Sequence, residues 1–529
     1  MKLHLPKSLL SVVLAGVLFT PYAYAHSGFT VKEGDVVTVV TNTSYSALTD
    51  AEKNVFVQGT IAGTNDTTPY AVAKDGEGTL SLDSDVKTSN PLFIREGSVY
   101  IGEGKTLTAS VKTPTSFISN LSVGGKNASL VLDGGKYIQT IAESNNYSSP
   151  AVIGNADGAG SLELKNGATF HTDHYVFAGY QQVKDFSGNP RVCGGYAAGT
   201  GYEGGDVKRS SIVINDSVLS AGTSFQFADV DITVTNGSTL KDDARGLANK
   251  ENVDPGSWLG AGVNCSTVIN VTDKSKLQLN WLLKTSEYDG SKTTINVSGE
   301  GSSLEINDVD KKVYLSSTMV DGATSAGTTA INITDGATAT VTHAKVGQLN
   351  DASIMVGTGS SYTGGSIVLG GHGELIIGGS MTITEALEME TGSVITFMIS
   401  DLEDGLPVLT VGQDDIVAAI SEGDAITGLD SVTFQLMFTD NALSQMETGM
   451  DLDIDALLAN IDKDLLVEGA QVALVNDKAD EIFSETTITM GGAEGTTTSV
   501  KVVGSIPEPT TATLSLLALA ALAGRRRRK

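Results

Sequence analysis

One short unit keeps returning between about Val31 and Ser400, and it limits the folds open to this chain more than any other feature. Thr294-Ile295-Asn296-Val297 leads through Ser298-Gly299-Glu300-Gly301 into Leu304-Glu305-Ile306. Ala330-Ile331-Asn332-Ile333 leads through Asp335-Gly336 into Ala339-Thr340-Val341. The same shape appears at Leu130-Val131-Leu132, Leu162-Glu163-Leu164, Ile212-Val213-Ile214, Ile232-Thr233-Val234, Ile269-Asn270-Val271, Ile367-Val368-Leu369 and Leu387-Glu388-Met389. Apolar residues at i and i+2 lie on one face of a strand. The Gly, Asn or Asp between two such strands supplies the positive φ of a tight bend.

Spacing selects the architecture. Successive units start at irregular steps of between 20 and 50 residues, which excludes the constant period of a propeller. Coils of a parallel β-helix run to roughly 20–25 residues and tolerate loop insertions, so the steps fit one coil or one coil plus a loop. No helical period alternates with the strands, which argues against βαβ units. The expected fold is therefore all-β, a parallel β-helix whose stacked Ile, Val and Leu form a continuous core; a string of β-sandwich modules is the runner-up. Ile295, Val297, Ile331 and Ile333 are expected in that core. From about Thr391 glycine thins and Asp, Leu and Met become denser, so a smaller C-terminal β-rich or α+β domain is expected to cap the solenoid. Helices are expected near Asp414–Ile420 and Asp453–Ile461, since an uncovered solenoid end is an open sheet edge.

The ends read as addresses. Lys2 and Lys7 precede the apolar run Leu9–Phe19, and Ala23-Tyr24-Ala25 has the small-x-small pattern of signal-peptide cleavage between Ala25 and His26. Near the other end Pro507-Glu508-Pro509 is followed by the uncharged Ala512–Gly524 and then Arg525-Arg526-Arg527-Arg528-Lys529. An apolar segment closed by cations is a stop-transfer arrangement. It is short of the ~20 residues of a comfortable span, which suits a transient anchor. These parts, in this order, resemble the PEP-CTERM sorting signal of exported proteins of Gram-negative bacteria. That resemblance implies an exosortase-type membrane protease and the export machinery as partners. It also implies a destination in the envelope, at the surface or outside the cell. The domain layout expected is thus a signal peptide over 1–25, a solenoid over 26–390, a C-terminal domain over 391–505 and a sorting signal over 506–529. The Gly-rich strand-turn-strand runs are similar to autotransporter passengers and adhesin-like β-helical proteins, although no membrane β-barrel pattern follows them.

Composition narrows the function. Asp and Glu outnumber Lys and Arg 62 to 34, for a net charge of −28, so a nucleic-acid-binding body is excluded. Weak calcium binding by the acidic surface is the one cofactor chemistry left open. Two cysteines, Cys193 and Cys265, suit a single disulfide in an oxidising compartment or two thiols. Gly371-His372-Gly373 matches a motif of β-helical polygalacturonases, yet only Asp242-Asp243 is available as a carboxylate pair, in a different context, and no basic clamp follows. His171 and Asp173 share a strand face by period two while His174 points away, so a three-ligand metal site fails. Asp451-Leu452-Asp453-Ile454-Asp455 begins like a calcium loop, but Ala456 stands where its glycine is needed. Nothing nominates a nucleophile, so the reading is a structural or adhesin-like protein rather than an enzyme. Extracellular glycans or envelope components are its expected partners. A degenerate polysaccharide lyase or hydrolase, and a passive envelope or matrix component, are the alternatives.

Overall fold

The computed structural model describes residues 32–503, apart from 58–69, 89–90, 112–120, 142–149, 155–157, 180–208, 244–255, 308–312, 317–326, 413–425, 428–431, 463–464, 467–469, 477–478, 491–497 and positions 263, 281, 287 and 289. It is an all-β parallel β-helix. Two compact units divide near residues 270–292, and each is built from three-faced coils.

In the first unit, one face stacks Leu92–Ile101, Leu121–Asp133, Ala151–Ile153, Val176–Ala178 and Phe225–Phe227 through their leading residues. The second face carries the inward files Leu80, Val99, Leu130, Leu162, Ile212, Ile232 and Leu82, Ile101, Leu132, Leu164, Ile214, Val234, all buried. The third stacks Val86, Leu107, Tyr137, Phe170, Leu219, Leu240 and Leu277. Period-two alternation explains the files: each strand puts every second residue inward, and parallel in-register pairing sets it on its counterpart one coil away, roughly 4.8 Å off. Burying one such Ile or Leu contributes about 1.5–3 kcal/mol.

Lys74 interrupts the first-face file, paired with Val37 on one side and Ile94 on the other. Its side chain is fully buried. The ammonium bends to the coil corner and donates to the carbonyls of Gly76 (2.5 Å), Gly78 and Glu96 (2.6 Å). Burial lowers its pKa to about 8, against the raising influence of Glu96 and Asp75.

In the second unit the second-face files are Ile331, Ile354, Leu375, Ile395, Phe434, Val472 and Ile333, Val356, Ile377, Phe397, Leu436, Leu474. Ile295, Val297, Ile331 and Ile333 are buried, as the alternation requires. The same-face neighbour of Ile331 is Ile354, not Ile367. Ile367-Val368-Leu369 and Leu387-Glu388-Met389 instead stack on the first face, after Ala344 and Val346. The parallel ladder runs past 390 through Val394–Ile399, Thr433–Phe438 and Gln471–Leu474. There pairing turns antiparallel with Thr487–Thr489, and Asp451–Asp453 pairs antiparallel with Ser499–Lys501. Short helices at Asp440–Ser444, Ile454–Leu457 and Ala479–Ile482 accompany this end. The segment Asp414–Ile420 lies outside the described residues.

One corner of most coils is tight. Between the second and third faces the chain turns on positive-φ pairs such as Asn236-Gly237 (56° and 71°) and Asp335-Gly336 (55° and 81°). Asn and Asp tolerate this region and Gly enters it without strain. Insertions fall at the other two corners, which is why Asn236 lies 21 residues beyond the Asn215 it touches and Ser211 lies 50 beyond Ser161.

Candidate recognition surface

The outward residues of the third face in the second unit form a regular array of hydroxyls. Thr340, Thr363, Thr382 and Thr410 follow one another in register, and beside them run Thr338, Ser361 and Ser380. Each coil contributes a hydroxyl residue at i and i+2, in Thr338-Ala339-Thr340, Ser361-Tyr362-Thr363 and Ser380-Met381-Thr382. The residues between point inward and are buried. The pleat thus sets hydroxyls roughly 6.6 Å apart along the strand and roughly 4.8 Å apart across coils. Thr338, Thr340, Thr363 and Thr410 are exposed. Thr342 and Thr384 extend the rows, their Oγ1 atoms donating to the carbonyls of Ile306 (3.4 Å) and Gly364 (2.9 Å).

Two properties set this patch apart. It is uncharged over three coils of a chain with a net charge of −28. Its hydroxyls are also unspent: among the described residues, none of Thr338, Thr340, Ser361, Thr363, Ser380, Thr382 and Thr410 has a side-chain hydrogen bond. The first unit has a comparable serine file on its second face, where Ser98, Ser129, Ser161 and Ser211 stack. There the hydroxyls satisfy one another, Ser98 Oγ to Ser129 Oγ at 2.6 Å and Ser211 Oγ to Ser161 Oγ at 3.0 Å. A donor and acceptor lattice open to solvent can exchange water for a ligand's hydroxyls; a self-paired one must first break its own bonds. At the border of the open array, His343 Nδ1 contacts Ser366 Oγ at 2.7 Å, and Gly365 leaves room for the ring, because a Cβ there would stand 2.9 Å from His343 Cε1.

The residues singled out from sequence are placed as follows. Ala25, His26, Pro507, Glu508, Pro509, Arg525, Arg526, Arg527 and Arg528 lie outside the described residues, as does Cys193. Cys265 is buried and disulfide-bonded. His372, in a turn, faces Asp351 across 3.6 Å with both side chains exposed. Asp242 is buried and accepts from Ser257 Oγ (2.8 Å) and the Asn280 N–H (2.6 Å); burial raises its pKa to about 6, while Asp243 pairs outside with Lys241. Asp453 caps the Ile454–Leu457 helix through the Ala456 N–H, and Asp455 accepts from the Thr498 N–H. These carboxylates are each engaged separately rather than converging on one point. Among the described residues no group of three or more His, Cys, Asp or Glu is placed to hold a metal ion. Among them no helix is long and apolar enough to cross a membrane. His171 and Asp173 do share a face and meet at 3.0 Å, while His174 is buried. Sequence reasoning missed the open hydroxyl array. Its signal was the repeated Thr/Ser-x-Thr at outward positions.

The fold and the array define a parallel β-solenoid with a neutral, hydroxyl-bearing face. No protein-family model, curated protein or solved structure matches the chain.

Proposed function

We propose that this is an exported, surface-sorted, adhesin-like protein whose solenoid presents the Thr338–Thr410 array to a neutral extracellular polysaccharide. The observation that carries the reading is the open, uncharged hydroxyl lattice. A neutral glycan offers hydroxyls and C–H faces at comparable spacing, and an uncharged patch avoids desolvating carboxylates when it binds. The acidic remainder keeps the protein soluble and away from anionic surfaces. Export rests on the signal-peptide pattern, and final sorting rests on Pro507-Glu508-Pro509 with its Arg tail, handled by an exosortase-type protease.

Purified mature protein is screened on a panel of neutral and charged glycans. Binding to neutral polymers is expected, and Thr363→Lys with Thr382→Lys should weaken it about tenfold or more, equivalent to about 1.4 kcal/mol. The control Ser129→Lys, on the self-paired file, should leave it unchanged. Binding that ignores the array substitutions sinks the recognition reading. Fractionation with mass spectrometry of the mature C-terminus tests the sorting reading separately. Retention of Arg528 in an inner-membrane form would make the segment a plain tail anchor.

A further inference from the structure

On the outward side of the third face of the first unit, His171 sits in register with Ser220 on the next coil. His171 Nδ1 lies 2.8 Å from Ser220 Oγ, and its Nε2 lies 3.0 Å from Asp173 Oδ1. Both ring nitrogens are therefore engaged, one by a hydroxyl and one by a carboxylate. A carboxylate only accepts, so Nε2 carries the proton; in the neutral ring Nδ1 is then the acceptor for the Ser220 O–H. A base oriented by a third group and touching a hydroxyl is the arrangement that activates a serine nucleophile. Asp173 is itself held, its N–H donating to the Gln139 carbonyl at 3.1 Å. Lys241 follows Ser220 in the same outward file, its ammonium 2.8 Å from Asp243.

We infer that Ser220, His171 and Asp173 form a hydrolytic centre for esters of small acyl groups, a reading independent of the recognition surface. Ser220 Oγ attacks the ester carbonyl carbon as its proton passes to His171 Nδ1, and the carbonyl electron pair moves to the oxygen. The C–O bond to the alcohol breaks, and the alcohol leaves with the proton from Nδ1. Water then attacks the acyl-serine, giving a proton to Nδ1. The Ser220–acyl bond breaks, the proton returns to Ser220, and the carboxylic acid departs. Asp173 stays ionised throughout as a positioning residue. Ser220 is 5% exposed, so only a small acyl group reaches its Oγ.

The molecule supplies its own control. His343 and Ser366 repeat the His–Ser rung, but there Glu385 approaches Nδ1, the same nitrogen as the serine, at 3.9 Å. That carboxylate does not fix the tautomer that would leave Nδ1 free to accept.

Purified mature protein is treated with a fluorophosphonate probe and, separately, with p-nitrophenyl acetate. Peptide mass spectrometry is expected to find the phosphonyl group on Ser220 and not on Ser366. Ester hydrolysis should vanish in Ser220→Ala and His171→Ala. Asp173→Asn should slow it by about tenfold or more and shift the acidic limb of its pH profile. Wild-type labelling decides the matter even if a variant misfolds. No label on Ser220, or equal label on Ser220 and Ser366, overturns the proposal, as does hydrolysis that survives in a folded Ser220→Ala.

Discussion

Asn332 donates from Nδ2 to Oδ1 of Asn296 across 2.8 Å, and Asn296 repeats the same bond to Asn270, also at 2.8 Å. Asn296 both gives and takes, so the ladder is directional and its three rungs are coupled. Asn296→Ala removes one donor and one acceptor from half-buried positions and should lower stability by about 1–2 kcal/mol. Urea denaturation reads this as a shift in midpoint. A variant as stable as the parent would mean the ladder contributes nothing net.

Ile331 stands in a file with Ile354 on its same-face side and is 1% exposed. Ile331→Asp buries an unpaired carboxylate, at a cost of several kcal/mol, and the neighbouring coils should open with it. Ile331→Val should cost only about 1 kcal/mol. Limited proteolysis of the two variants checks the contrast, which fails if the aspartate variant resists cleavage as well as the valine one.

Asp242 gives a pH dependence of defined sign. Its pKa is raised from 3.8 to about 6, chiefly by burial and against the lowering influence of the Asn280 and Ser257 hydrogen bonds. About a unit below 3.8 and lower, the carboxyl is neutral in both folded and unfolded chains. As pH rises from there through 6 the folded state must carry a buried charge, and about 2–3 kcal/mol of stability is lost. Asp242→Asn should abolish that decline. Melting temperatures of both proteins between pH 4 and 7 measure it, and parallel curves would refute the assignment.

Lys74 fills a core position while its ammonium serves three carbonyls. Lys74→Met keeps the volume and leaves Gly76, Gly78 and Glu96 facing the interior without that donor, a loss of about 2–4 kcal/mol. Hydrogen exchange should localise the damage to the coils containing Lys74 and Ile94. A variant equal to the parent in both stability and exchange would show the cage to be incidental.

The inward files were legible because period two is a local signal: Ile331-Asn332-Ile333 declares its face within three residues. Assigning units to faces was not. All three faces carry alternating apolar runs, and the short coil that brings Ile354 beside Ile331 left Ile367 as the apparent successor. The change of texture at Thr391 is real, yet Val394–Ile399 keeps the parallel register, because backbone pairing needs no glycine between turns. His171 and Asp173 were paired by alternation. Ser220 was not, because it is 49 residues further along and joined only by coil stacking. The hydroxyl files had a signal in Thr338-x-Thr340 and Ser361-x-Thr363. Their meaning depended on which hydroxyls the fold leaves unpaired.

The tight corner has a consequence for how such a chain can change. Long connections separate Ala178 from Ser210 and Asp242 from Gly256, at the other two corners, while most second-to-third-face turns stay short, many of them around a left-handed Asn, Asp or Gly. Length variation is thereby quarantined on two corners, and the third works as a spine against which each new coil is indexed. A segment grafted at 180–208 should be absorbed silently. The same segment placed between Asn236 and Thr239 would put every later strand out of step with the one before it.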